Sequence, residues 1–526
     1  MTEALGLVIH VTGNRATLKI PAADGGTSLP AEIRVGNMLR IKTPETNLFG
    51  LIDEITQDQA ANGAEPFWGR VAIDFIGELL DSERDRFKRG VTFYPRLGDQ
   101  VFPAEPGDFD IVYAPPKGSS FTIGSLHQHD DVAAHIMTNE LLSTHFAVLG
   151  TTGSGKSCTV AMILRSILDN HPSGHVILLD PHNEYYHAFG NRAEVVNTSN
   201  LHLPYWMLDF QELIKVFVSG EGGERDEQIN VLRDAILAAK LSQTHEMIVD
   251  GHVTVDTPVP FRLGEFKRHL DASMGRLEKA ETARPYLKIL NRLETLTNDK
   301  RFSFMFSSML VEDVMPDLLA RILRIPVTGK PITIVDLSGV PSEIIDVVVS
   351  VICRMVFDFA VWGAREQSMP VLLVCEEAHR YAPEKDEEFF GPTKAVLSRI
   401  AKEGRKYGVA LGLVSQRPSE LSVSILSQCN TIFALRMGNE HDLTFVRAIL
   451  PESAAGMLKV LPALHTQEAI IAGAGVTAPM RVRFSDLAAD ERPQTHTVPF
   501  SHAWQEDSYQ RDFVDDIVAR WRNQRH

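Results

Sequence analysis

The stretch Phe146-Ala147-Val148-Leu149-Gly150-Thr151-Thr152-Gly153-Ser154-Gly155-Lys156-Ser157 decides the fold. Its first four residues are a short apolar run of the kind that makes a buried strand, and Val160, Ile163, Leu164, Ile167 and Leu168 follow at helical spacing. Strand, glycine-rich turn and helix in that order build a phosphate-binding loop. The glycines let backbone N–H groups turn inward around phosphate oxygens, and the positive end of the following helix supports the same charge. Gly150, Thr151, Thr152, Gly153, Ser154, Gly155, Lys156, Ser157 and Cys158 are therefore the expected nucleotide contacts. Lys156 reaches the phosphates, and the Ser157 hydroxyl is placed to ligate the Mg²⁺ that accompanies ATP.

Downstream, apolar runs end on polar groups in the way that parallel strands of an α/β sheet do. Val176–Leu179 ends on Asp180, and Ile332–Val335 ends on Asp336. Asp180 and Glu184 are candidates for supporting roles at the nucleotide edge, although Asp180-Pro181 reads equally well as a turn. Val371–Cys375 runs straight into Glu376-Glu377-Ala378-His379. Hydrolysis of a phosphoanhydride needs one acid near the hydrated metal and another that positions the attacking water, so Glu376 is assigned to the metal and Glu377 to the water. Val409–Val414 delivers Ser415-Gln416-Arg417-Pro418 to the same edge, where Gln416 would sense the γ-phosphate. Arg399 and Arg405 lie in a basic helical end before that strand. In a ring, one of them would serve a neighbour's γ-phosphate as an arginine finger; in a monomer both would be helix-end charges. Thr431–Arg436 adds a strand, and Glu468–Gly473 is expected to be the last one.

From Leu5 to about Pro103, short alternating runs separated by turn signals predict a small antiparallel barrel, read as a docking or oligomerisation module. The expected divisions are a barrel over 1–120, the first part of the ATPase core over 121–215, a helical insertion over 216–330, the second part of the core over 331–485, and a tail over 486–526. Val112–Asp131 is expected to be a connection, Pro341 to open a long apolar helix through Trp362, and the amphipathic stretch Phe513–Trp521 to strap across a neighbour. Within 526 residues, 44% hydrophobic and 23% charged content suits a multidomain globular chain. No run of about 18 uncharged apolar residues occurs, and Met1-Thr2-Glu3-Ala4 lacks the regions of a signal peptide, so the expectation is a cytoplasmic protein with no membrane association. The formal charge of −16 argues against coating nucleic acid over the whole surface, but a ring can be acidic outside and basic in its bore. Cys158, Cys353, Cys375 and Cys429 show neither disulfide nor zinc spacing.

Taken together, the phosphate loop, Asp180-Pro181-His182-Asn183-Glu184-Tyr185, Leu203-Pro204-Tyr205-Trp206, Glu376-Glu377-Ala378-His379 and Ser415-Gln416-Arg417-Pro418 resemble the HerA family, which stands with FtsK among hexameric DNA translocases. The resemblance implies an α/β fold, with a RecA-like P-loop ATPase core, an N-terminal antiparallel β-barrel and an inserted helical subdomain. It implies a homohexamer that threads double-stranded DNA through a central pore and moves along or unwinds it with ATP and Mg²⁺. Lys156, Ser157, Glu377 and Gln416 match the family's nucleotide-handling positions, whereas Glu376 stands where many related ATPases have Asp. The resemblance also implies a separate effector, either a NurA-like nuclease in DNA-end processing or a nuclease or Sir2-type NAD-consuming protein in antiphage defence. The competing expectations are a secretion or conjugation ATPase, and a ring scaffold that activates a partner with ATP as a switch. A nucleotide kinase would need neither barrel nor insertion.

Overall fold

The structure is a computed structural model describing residues 3–23, 28–57, 68–82, 86–243, 252–275, 280–307, 310–364, 368–385, 391–494, 501, 504 and 510–522. The N-terminal strands are β1 (Gly6–Val11), β2 (Arg15–Pro21), β3 (Met38–Lys42), β4 (Thr46–Gln57), β5 (Trp68–Leu80), β6 (Phe87–Arg89) and β7 (Gln100–Pro103). Period-two alternation drives their closure. On β2, Ala16, Leu18 and Ile20 turn inward and are fully buried, while Lys19 between them faces out. The antiparallel order β2-β1-β7-β3-β4-β5 returns to β2, closing a six-stranded barrel, with β6 added on the far side of β5. Closure leaves those six strands without an open edge. The expected barrel is present, with its two central strands longer than the apolar runs suggested.

An ion-pair cluster inside the barrel is joined from the rest of the chain by Lys459. Arg15 spans Asp53 at 2.5 Å and Asp74 at 2.8 Å, and Lys459 reaches Asp53 at 2.9 Å. Gly456 permits this approach, because a Cβ there would stand 2.7 Å from Asp53 Oδ1 and 2.8 Å from Asp74 Oδ2. Arg89 adds hydrogen bonds to the carbonyls of Thr477 and Gly473, at 2.6 and 2.9 Å.

The second sheet contains β8 (Ser120–Leu126), β9 (His129–Met137), β10 (Phe146–Leu149), β11 (Val176–Asp180), β12 (Ala193–Val196), β13 (Ile332–Asp336), β14 (Val371–Cys375), β15 (Val409–Ser415), β16 (Thr431–Leu435), β17 (Glu468–Gly473) and β18 (Met480–Phe484). Its order is β12-β13-β11-β14-β15-β10-β16-β17-β18-β8-β9. The run from β12 to β16 is parallel, and the remaining pairings are antiparallel. Apart from the edge strand β12, the parallel strands are buried along their whole length, which is why they read as continuous apolar runs.

Three expectations need correction here. Val112–Asp131 is more than a connection, since it contains β8 and the start of β9. Phe121 and Ile123 alternate inward as a strand requires, but register shifts interrupt the hairpin around Gly124, at φ 154°. Nor is β17 the last strand, because Met480, Val482 and Phe484 alternate inward along β18, with arginines between them. The long helix begins at Ile345, not at Pro341, whose carbonyl closes a turn onto the Ile344 N–H at 3.0 Å.

Between β12 and β13 the chain forms helices Phe210–Phe217, Gly223–Leu241, Leu263–Met274 and Arg284–Asn298. The first starts with a capping box: the Asp209 side chain accepts from the Glu212 N–H, and Glu212 returns the bond to the Asp209 N–H. Buried Glu212 also takes Arg354 at 2.8 Å and Ser350 at 2.8 Å, tying this region to the Ile345–Gly363 helix. Among the described residues, no helix is long and apolar enough to cross a membrane. A separate unit, from Gln494 onward, holds the helix Arg511–Arg522, on which Phe513, Val514, Ile517 and Trp521 are exposed.

Asp346 offers a test of the packing around the long helix. Burial pushes its carboxyl from the ordinary 3.8 up to about 6, against the hydrogen bond it accepts from Thr393. The folded chain therefore holds this proton more tightly than the unfolded chain, and stability falls as pH rises through that window. Asp346→Asn is expected to stabilise the protein at pH 8 by about 2–3 kcal/mol. The gain should vanish near pH 4 when melting temperatures of the two proteins are compared across pH.

Candidate functional site

Both flanking strands hold the phosphate loop. The Gly150 N–H bonds the Ser415 carbonyl of β15 at 3.2 Å, and the Thr151 N–H and hydroxyl bond the Arg436 carbonyl beyond β16 at 3.1 and 3.0 Å. Ser154 closes the turn, its hydroxyl donating to the Thr151 carbonyl at 2.7 Å. Gly153 and Gly155 adopt φ of 75° and 99°, which L side chains rarely reach. The helix Lys156–Asn170 follows, and Lys156 Nζ lies 3.4 Å from the Thr151 carbonyl, folded back across the loop. Burial lowers the Lys156 pKa, while Glu377, Glu376 and Glu184 draw it back up.

The acids gather from two adjacent strands. The Glu376 N–H bonds the Leu179 carbonyl at 3.2 Å, so the end of β14 lies beside the end of β11. Glu376 is buried and accepts from the Tyr185 hydroxyl; burial pushes its carboxyl up to about 7 against that bond. Glu377 is held in the left-handed region at φ 51°. Its Oε2 is buried and has no hydrogen-bond partner among the described residues, although His379 Nδ1 stands 3.3 Å away. Burial pushes His379 down to about 4, so its ring is neutral at pH 7, and its Nδ1 also lies 3.1 Å from the Ser415 hydroxyl. Gln416 reaches the loop, where its Oε1 accepts from the Thr152 hydroxyl at 2.5 Å.

Asp180 forms a turn. Its carboxylate accepts from the N–H groups of His182 and Tyr185, at 3.1 and 3.0 Å, and the turn aims Glu184 at Ser157, whose hydroxyl donates to it at 2.9 Å. Cys158 is half-buried and lines a small pocket beside Gly155 with Met162, Gln467, Phe484 and Arg492.

Lys156, Ser157, Glu376, Glu377 and Gln416 thus converge on one edge of the sheet. Arg399 and Arg405 stay away from it. Arg399 lies over the Phe357 ring at 4.8 Å and 3.8 Å from Asp358, while Arg405 lies exposed in the last turn of the helix Gly391–Tyr407, before β15 begins. The sequence reading missed Tyr185, His379 and the Thr152–Gln416 bond; the only signal for the first two was their place in motifs read for the neighbouring acids.

The donors suit magnesium arriving with a nucleotide. Among the described residues, no three His, Cys, Asp or Glu side chains form a metal cluster. Magnesium in nucleotide sites takes few protein ligands and fills its shell with phosphate oxygens and water. Ser157 and Glu376 meet that requirement, and Glu377 Oε2 beside them is buried with no hydrogen-bond partner among the described residues. Mg-ATP is expected to raise the melting temperature, by about 2.7 kcal/mol of stabilisation at 100 times the dissociation constant. Lys156→Ala should remove most of that rise; an undiminished rise would place the nucleotide elsewhere.

The family described as "Helicase HerA, central domain" matches residues 121–356. A Methanocaldococcus jannaschii protein called a probable helicase is 24% identical over 516 residues, 92% of each chain. The Pyrococcus furiosus DNA double-strand break repair helicase HerA is 27% identical over 439 residues, 74% of this chain and 73% of that one. Among solved structures, VirB4 of Thermoanaerobacter pseudethanolicus superposes with a TM-score of 0.52 at 18% identity, covering 72% of this chain and 100% of the other.

Proposed function

The chain belongs to the HerA family, and from that premise we propose that it is an ATP-hydrolysing hexameric motor that translocates on or unwinds double-stranded DNA. One observation carries the reading: β15 separates loop strand β10 from acid strand β14 and sends Gln416 back to Thr152. The loop N–H groups and Lys156 hold the β- and γ-phosphates. Ser157 and Glu376 face the magnesium, which when bound neutralises charge on the phosphate oxygens. Glu377 orients the attacking water through its Oε2, which lies 3.3 Å from His379 Nδ1 without a hydrogen bond to it. Gln416 ties the state of the γ-phosphate to the loop. Arg399 or Arg405 completes the site of a neighbouring subunit, a role that their positions outside their own chain's site leave open.

DNA passes through the ring, and the barrels carry a separate effector, a NurA-like or other nuclease or a Sir2-type NAD-consuming protein, in DNA-end processing or antiphage defence. Exposed Phe93, Tyr94 and Leu97, between β6 and β7, give the barrel an apolar surface for such a partner.

Steady-state ATP hydrolysis with and without linear duplex DNA tests the motor. The expected result is a stimulation of about tenfold or more, equivalent to ~1.4 kcal/mol, absent from Lys156→Ala. Glu377→Gln should lower kcat by about 10²–10⁴ with nucleotide binding retained. A rate indifferent to DNA that rises only with an added effector would replace the motor with a partner-controlled scaffold.

A further inference from the structure

The turn after β11 places two consecutive side chains on two different groups of the metal side. Glu184 Oε2 accepts from the Ser157 hydroxyl at 2.9 Å, and the hydroxyl of the next residue, Tyr185, donates to Glu376 Oε1. Asn183, at φ 54°, reverses the chain so that both can reach inward, and asparagine tolerates that conformation better than most residues. Asp180 locks the reversal through the N–H groups of His182 and Tyr185. Tyr185 is 1% exposed, so its hydroxyl is shielded from bulk solvent.

A serine hydroxyl has one proton and two lone pairs, and the acceptor of the proton decides where the lone pairs point. In this chain Glu184, from the turn after β11, accepts it. We propose that Glu184, and neither Glu376 nor Glu377, is the positioning residue that aims the Ser157 oxygen at the magnesium of the bound nucleotide, with Tyr185 fixing Glu376 beside it. The inference rests on the nucleotide site described above. It divides the acids differently from the sequence motif: the pair on β14 supplies Glu376 near the metal and Glu377 at the water, and β11 supplies the group that orients the serine. Asp180 supports that group from the backbone side, its carboxylate accepting from the Tyr185 N–H at 3.0 Å.

The test measures affinity of the full chain for a fluorescent ATP analogue, in EDTA and across a magnesium titration, without reading turnover. Removing a group that orients a metal ligand costs about 10–100-fold in metal affinity. Glu184→Gln is expected to keep the metal-free affinity while raising the magnesium needed for half-maximal tight binding by about tenfold. Tyr185→Phe should shift the same quantity in the same direction, and Glu377→Gln should leave it unchanged. Combining Glu184→Gln with Ser157→Ala should weaken magnesium dependence no further than Ser157→Ala alone, since Glu184 acts through that hydroxyl. An unchanged magnesium requirement in Glu184→Gln, an additive double variant, or an equal loss of metal-free affinity would each overturn the assignment. Failure of the wild-type chain to bind the analogue would instead refute the nucleotide site itself.

Discussion

One strand sets the spacing of the whole site. Because β15 lies between β10 and β14, the loop and the acids are two strand separations apart, about 10 Å at the usual spacing. In the proposed mechanism that gap is the space for a terminal phosphate and a water between Lys156 and Glu377. The intervening strand fills the gap's floor with Ser415 and Gln416, which contact His379 and Thr152 respectively. Insert no strand, and the acids would crowd the phosphates. The registers Leu149↔Ser415 and Cys375↔Leu413 bring all three strand ends to nearly the same level, so no long loop is needed to assemble the site.

Charge at that edge is costly. Burial holds Glu376 and Glu377 above the ordinary carboxylate range, Lys156 below its own, and Glu377 in a left-handed backbone. Such tension persists only where the surrounding structure enforces it. Here the fully buried parallel strands do so, together with the Asp180 turn and the double anchoring of Thr151. Away from the site, buried Glu212 is also raised by burial, but Ser350 and half-buried Arg354 give it hydrogen-bond partners. One region is compensated, and the other is left to be completed by a ligand.

The sequence made the parallel strands legible because a strand covered on both faces must be apolar throughout, as Val176–Leu179, Val371–Cys375 and Val409–Val414 are. The acids and the loop were legible because each ends or follows such a strand. The antiparallel elements were harder: β8 and β18 alternate inward residues with Thr122, Arg481 and Arg483, and Gly124 interrupts the first. Tyr185 was hidden for another reason, since an aromatic residue in a motif is ordinarily core, and only its hydroxyl's contact with Glu376 distinguishes it. Distance in sequence likewise concealed the Thr152–Gln416 bond, which joins residues 264 positions apart.

The central claim is that hydrolysis at this edge drives movement along DNA, and displacement of a labelled third strand from a linear triplex tests it most directly. The account predicts release of the third strand with ATP and magnesium, and no release by Lys156→Ala or with a non-hydrolysable analogue. Vigorous ATP hydrolysis on the same DNA with the triplex left intact would contradict it.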